Sequence, residues 1–498
     1  MGVSSKNERR PKPTLQQVLL QLSPFYWQGD TSWKWNFKVP FWTGSGEMEA
    51  FCELFFDNLA TLLGVTGSAI GHIGYGLIAA PWRSTPGAYN LMIAQEWEKM
   101  YFEWHIPACG IGLVFGNIWF AWLATRLATK EDRLDVTAQP YGMNTTVIFI
   151  TLYAMSLPAL EAGQSKFAPA ADATPEVMKA AAFKAAEYGW KVSVAVNFII
   201  GMFEICGFFL GDLLRYALPS AAIYVPLAGV GFVWLAFSPM ITIAQEPIMC
   251  FLPFLIVVTG FFGNVRYPVM GKVTFPIALL AIGCSTIFGW AGACKHSTDP
   301  IPYGFDGKTT SVAAFYNGVS PADGSAYETC TGTDINKAKA AWKQFAFKGD
   351  IFGGFGKGMT GLGEADLMGD WVAPALLFGM IGFLGTMTCV ESAEAAGDVY
   401  PMAEVMIVDG IGTCLVSLFG GMFGTTVYIG HPVHKALGAK IGYSLLNGFL
   451  YLILLSTGMF AALYNVIPGC ANGAILVFVG LLLSRQAFEE SPPRHYPC

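Results

Sequence analysis

TAQPYGMNTT, residues 137–146, and FGTTVYIGHPVHK, residues 423–435, each set glycine, proline and threonine pairs inside otherwise apolar runs. Alone, each reads as an ordinary kink. In matching places of two halves of a chain, they suggest half-helices that stop near the middle of a bilayer with their N-termini aimed at a ligand. That reading needs a membrane, and composition supplies one. Charged residues are 13% of the 498, about half of the ~25% usual in soluble domains. Apolar residues are 54%, and mean hydropathy is +0.47. The class is an all-α polytopic membrane protein. The net charge of −6 says little, because in a membrane protein the position of charges decides.

At ~20 apolar residues per crossing, about twelve spans are expected. They cover 50–80, 106–127, 138–157, 189–211, 218–238, 240–262, 273–290, 371–390, 402–419, 423–438, 441–460 and 469–484. The two opening stretches fall in the third and the tenth. Arg126, Lys130, Arg133, Arg215, Arg266, Lys272, Lys435 and Lys440 all follow even-numbered spans, on the side of the basic N-terminus. The positive-inside rule makes that side the cytoplasm. Residues 158–187 and 291–370 then face outward, and DATPEVMKAAAFKAAEYGW (172–190) is expected as a short surface helix. Residues 1–45 read as a cytoplasmic tail with no cleaved signal peptide. Most of the 11 cysteines lie in spans and read as small apolar residues, while Cys294 and Cys330 in the outer loop are a candidate pair.

A second pattern lies in the eighth span. TCVESAEAAGDVY (388–400) carries Glu391, Glu394 and Asp398 at i, i+3 and i+7, one face of a helix. An acid at a helix centre costs at least ~2.5 kcal/mol. The expectation is that Asp398 sits at the cytoplasmic end while Glu391 and Glu394 lie deeper. Asp57 and Asn58 in the first span are as suited to structural contact as to a site.

These residues also carry a family resemblance. EAAGDVY (394–400) resembles the ESIGDYY stretch of the nucleobase/ascorbate transporter family. VDGIGTCLVSLFGGMFGTTVY (408–428) resembles the ninth and tenth spans of that family and of the related purine permeases, and PYGMN (140–144) their third-span motif. The resemblance implies a seven-plus-seven inverted-repeat fold, with a core domain that moves against a gate domain. It implies import of a nucleobase, a purine such as xanthine, uric acid, hypoxanthine, guanine or adenine, coupled to protons or sodium. Glu394 would then accept hydrogen bonds from the base, with Glu391, Thr425, Thr426, Tyr141 and Asn144 around it. Asp398, Asp409 and Asp57 would support coupling. No cofactor, resident metal or nucleic-acid partner is implied. A plasma-membrane location follows as an expectation, and a homodimer is left open.

Two departures qualify the resemblance. Where the family places Glu or Gln about two residues after the tenth-span tyrosine, this chain reads Tyr428, Ile429, Gly430, His431. His431 is the candidate replacement. A glycine and a histidine suit an anion of the bicarbonate or sulfate kind, which transporters of the same broad fold carry at half-helix N-termini, but three carboxylates beside them do not. Second, the first repeat occupies 46–290, whereas the second, 371–484, has room for five spans before the tail 485–498. On that count the family's last two gate helices are expected to be missing, either from a truncated sequence or in a twelve-span variant. A metal-dependent hydrolase built on His431, His434 and a glutamate fits no strong zinc spacing, and His72 is the nearest further candidate. No GxxxxGK[ST] loop points to an ATP-driven pump.

Overall fold

The computed structural model describes residues 35–80, 83–170, 172–217, 228–229, 231–245, 247–263, 265, 267–270, 273–274, 277–290, 353–363, 365–428, 430–467, 473–474, 476–478, 480–481 and 484. Cys294, Cys330, most of the 291–370 loop, both tails and most of the expected last span lie outside them.

The first half comprises α1 (Ser45–Thr66, extended by π-helical turns to Ile78), α2 (Gly87–Met100), α3 (Ile106–Lys130), β1 (Tyr141–Met143), α4 (Thr145–Thr151), α5 (Leu157–Lys166) and α6 (Pro175–Ala217). It continues through α7 (Ser238–Gln245), α8 (Pro247–Val257), a small ribbon of β2 (Pro268–Met270) and β3 (Val273–Thr274), and α9 (Ile277–Trp290). The second half comprises α10 (Ala365–Ala395), α11 (Met402–Leu418), β4 (Thr425–Val427), α12 (His431–Ala436), α13 (Gly442–Ser456) and α14 (Met459–Val466). Among the described residues, five helical runs are long and apolar enough to cross a membrane: Ser45–Ile78, Gly87–Lys130, Val147–Lys166, Pro175–Gly207 and Asp370–Ala395.

Two expectations are corrected. Residues 172–190 form no separate surface helix; they are the first turns of the 43-residue α6, because Ala182, Ala185, Ala186 and Trp190 continue its buried stripe at helical spacing. The gap between the first two expected spans is also helical. Tyr89, Ile93, Trp97 and Met100 are buried at i, i+4, i+8 and i+11, so α2 packs one face although its sequence is too polar to read as a span. Cys250 departs from the small-apolar reading of the cysteines, being disulfide-bonded.

The third and tenth spans break as expected. β1 and β4 pair antiparallel, with Tyr141 opposite Val427, Gly142 opposite Thr426 and Met143 opposite Thr425. The ladder has two-fold character: Asn144 donates its N–H to the Gly424 carbonyl at 3.1 Å, and Tyr428 donates to the Pro140 carbonyl at 2.8 Å. Residue 141 is thereby exchanged with 425, and 144 with 428. The helices obey the same exchange. α3 packs along α13 as α11 packs along α6, and α1 meets α13 as α10 meets α6. The fold is an inverted-repeat, helical transmembrane architecture whose halves interlock at the strands.

Candidate functional site

A strand inside a bilayer must satisfy every backbone group from protein, since no water is there to do so. Side chains of the surrounding helices meet that demand. Asn58 of α1 accepts the Met143 N–H at 2.8 Å, Asn117 of α3 donates to the Tyr141 carbonyl at 3.2 Å, and Thr413 of α11 donates to the Thr425 carbonyl at 3.1 Å. Asn117 and Thr413 are exchanged by the two-fold, and each is braced from the helix packed on it. Asn447 of α13 reaches the Asn117 amide oxygen at 3.4 Å, and Asn197 of α6 reaches the Thr413 carbonyl at 3.4 Å and the Ser417 hydroxyl at 2.8 Å. Gly116 and Gly412 also correspond. A Cβ on Gly116 would fall 2.0 Å from the Tyr141 ring, and one on Gly412 2.3 Å from its hydroxyl, so only glycine admits the tyrosine between α3 and α11.

Several expected site residues do converge here. Tyr141 and Thr425 share a hydrogen bond of 2.7 Å between hydroxyls. Asp409 accepts from Thr426 at 2.9 Å and from Thr386 of α10, and the two threonine hydroxyls lie 3.1 Å apart. Asn144 caps α4, its side chain accepting from the Val147 N–H at 3.2 Å. On the α1 side, Thr61 and Thr145 lie 3.3 Å apart, the Tyr428 hydroxyl donates to Asn58 at 3.0 Å, and half-buried Asp57 acts electrostatically on Tyr428. Helix α4 runs on through π-helical turns into α5, so the run Thr145–Lys166 starts at the crossing with the positive end of its dipole.

The acid stripe of the eighth span does not join them as expected. Glu394 is exposed in the last turn of α10, Glu391 is half-buried, and Asp398 is the fully buried one. Asp398 does lie past the helix end, but the order of burial is reversed because the helix stops at Ala395. Gly397, at φ +93°, turns the chain back, with the Gly397 N–H on the Glu394 carbonyl and the Asp398 N–H on that of Ala393. Asp398 is thus folded under the helix end. It accepts from Arg133 at 2.6 Å, Lys435 at 2.6 Å, His431 Nε2 at 2.9 Å and the Thr137 N–H at 3.2 Å. Burial works to raise this carboxyl, but the His431, Lys435 and Arg133 hydrogen bonds outweigh it and hold it well below the usual carboxylate range.

His431 therefore faces Asp398 and not Glu394, and it stands at the end of the bundle in place of lining the crossing. His434 donates from Nδ1 to the Gly430 carbonyl at 2.8 Å and stacks on Tyr443. The His72 side chain is outside the described atoms. Among the described residues, no group of three or more His, Cys, Asp or Glu side chains is placed to hold a metal. Arg126, paired with Glu404 at 3.0 Å, joins Arg133 as a basic group that ties the two repeats, while Lys435 pairs with Asp398 within the second.

Sequence reasoning missed Glu204, Asn117, Asn197 and Thr386. The signal was present: NFIIGMFEICGFF (197–209) holds a lone glutamate in an apolar run, and such an acid marks function by its cost alone.

No family model and no curated protein matches this chain. Its resemblance to the nucleobase/ascorbate transporters therefore stands on the short motifs by themselves. Among solved structures, the transmembrane domain of a cyanobacterium bicarbonate transporter BicA is similar at 14% identity and a TM-score of 0.43, over 88% of this chain and 90% of that chain.

Proposed function

We propose that this chain is a secondary transporter that carries a small inorganic anion through the β1–β4 crossing. The observation that carries the reading is the helix start at Thr145. Ahead of the Val147 N–H, which Asn144 caps, the first N–H groups of the helix start at the crossing beside the hydroxyls of Thr61 and Thr145, at the positive end of a helix dipole, with the Tyr428 hydroxyl already given to Asn58. The objection from the sequence, three carboxylates in the same place, is met for two of the three, although Asp57 and Asp409 lie at the crossing. Glu394 is exposed away from the crossing, and the charge of Asp398 is spent on three basic groups.

A nucleobase is the second reading, favoured by one feature. Asp57 beside Tyr428 is an acceptor suited to the N–H edge of a base. Proteoliposomes containing the purified chain decide between the two. Labelled bicarbonate, sulfate and chloride are offered alongside labelled xanthine, hypoxanthine and uracil, each with an inward sodium or proton gradient. Saturable anion uptake that falls in Thr145→Val supports the proposal; base uptake without anion uptake refutes it.

A further inference from the structure

The two-fold exchange reveals a place where the halves differ without architectural need. One turn before Thr413 on α11 is Asp409; one turn before its counterpart Asn117 on α3 is Leu113. Three residues after Gly201 on α6, which packs on Gly410 and Cys414 of α11, is Glu204; the equivalent glycine of α13 is Gly448, packed on Val114 and Asn117 of α3, and the same step from it reaches Tyr451. In one half the helix pair buries a leucine and a tyrosine, each 0% exposed; in the other it buries two carboxylic acids, each 0% exposed. The same packing is thus built without an acid, so the acids are not required to form it.

The acids are also incompletely satisfied. Both Glu204 carboxylate oxygens and Oδ1 of Asp409 have no hydrogen-bond partner among the described residues. The two groups act on one another electrostatically, and Thr413 is the further side chain acting on Glu204. The titratable groups facing the pair are Tyr141 from β1, Cys389 from α10 and Cys414 from α11. Among the described residues no basic group acts on either acid. Gly382 of α10 opens the space, since a Cβ there would stand 2.6 Å from Glu204 Oε1 and 3.4 Å from the Asn144 amide nitrogen.

Two carboxylates in one site of low dielectric do not both hold negative charge without a compensating cation. We propose that Glu204 and Asp409 form a binding site for one monovalent cation, a proton or a sodium ion, inside the helical core. Three free carboxylate oxygens with the Thr413 hydroxyl are hard oxygen donors, of the kind an alkali ion takes, and with sodium absent one proton shared by the pair serves the same charge balance. The cation is the coupling ion if the chain is the transporter proposed above, and Asp409 passes its occupancy to Thr386 and Thr426 at the crossing. In that sense the inference rests on the transport reading, but its test does not.

The test reads binding by the full chain in lipid nanodiscs and needs no substrate. Infrared difference spectra on acidification, in light and heavy water, report a buried protonated carboxyl; radioactive sodium binding at alkaline pH reports the ion. The expected result is one or both signals in the wild type, their loss in Glu204→Gln and in Asp409→Asn, and their loss in Glu204→Leu/Asp409→Leu, which removes both acids. The near-isosteric single variants keep the test open if the leucine pair does not fold. Signals that survive these substitutions, or a wild type with neither signal, overturn the proposal. A protonation signal without sodium binding identifies the proton arm, and sodium binding that acid displaces identifies the sodium arm. Loss of the signals with transport intact would remove the pair from coupling while leaving the transporter reading in place.

Discussion

Asp398→Asn tests whether the buried carboxylate holds the two repeats together at the basic end of the bundle. The wild-type side chain is fully buried and accepts from Arg133, Lys435 and His431 at 2.6, 2.6 and 2.9 Å. Removing one partner of a buried ion pair costs about 3–5 kcal/mol. Here the Arg133 and Lys435 side chains are 24% and 18% exposed, so each regains some hydration once abandoned. That places the expected loss at the low end, ~3 kcal/mol, or roughly a hundredfold in the unfolding equilibrium constant. Equilibrium unfolding by SDS in mixed micelles measures it. The pH dependence gives a second reading with a definite sign. The folded carboxyl titrates below its ordinary value of about 3.9, so its contribution is present above that value and is lost as pH falls towards the folded one. The gap between wild type and variant should be flat near neutrality and close below about pH 4. A difference under about 1 kcal/mol, the range of exposed pairs, or a gap that does not close in acid, would refute the reasoning.

Three further outcomes are expected. Gly116→Ala forces a Cβ into the buried Tyr141 ring and should cost about 1–3 kcal/mol in the same titration, whereas Gly67→Ala, with open space around it, should not. Glu394→Gln should leave stability within about 0.5 kcal/mol and leave uptake unchanged, because the side chain is exposed in the last turn of α10; abolished uptake would restore Glu394 to the site. Asn447→Ala removes the amide that donates to the buried Asn117 side chain and to the Tyr141 carbonyl and should cost about 1–3 kcal/mol, with Asn197→Ala, which loses the Thr413 and Ser417 contacts, comparable; a null effect at both would show that the strand braces are dispensable.

Much of this architecture is legible in the chain itself. Apolar runs of bilayer length announce a polytopic protein because hydration of a peptide segment is decided locally, residue by residue. The broken third and tenth spans are likewise local, since proline and glycine act on their own backbone, and their recurrence suggests paired half-helices. The inverted repeat and the common place of Tyr141, Asn144, Thr425, Thr426 and Asp409 are expected only through the family resemblance. Depth along a helix is not legible in either. Whether Glu394 or Asp398 is buried depends on where α10 ends and on what Gly397 folds beneath it, and on Arg133 and Lys435, which arrive from distant parts of the chain. The same holds for Glu204. Its cost in an apolar helix is visible from composition, but its partner Asp409 is chosen by the packing of α6 on α11, and the contrast with Leu113 and Tyr451 exists only once the two-fold is known. Local free energies are written in the order of residues, whereas the pairing of buried charges depends on distances that tertiary contact alone sets.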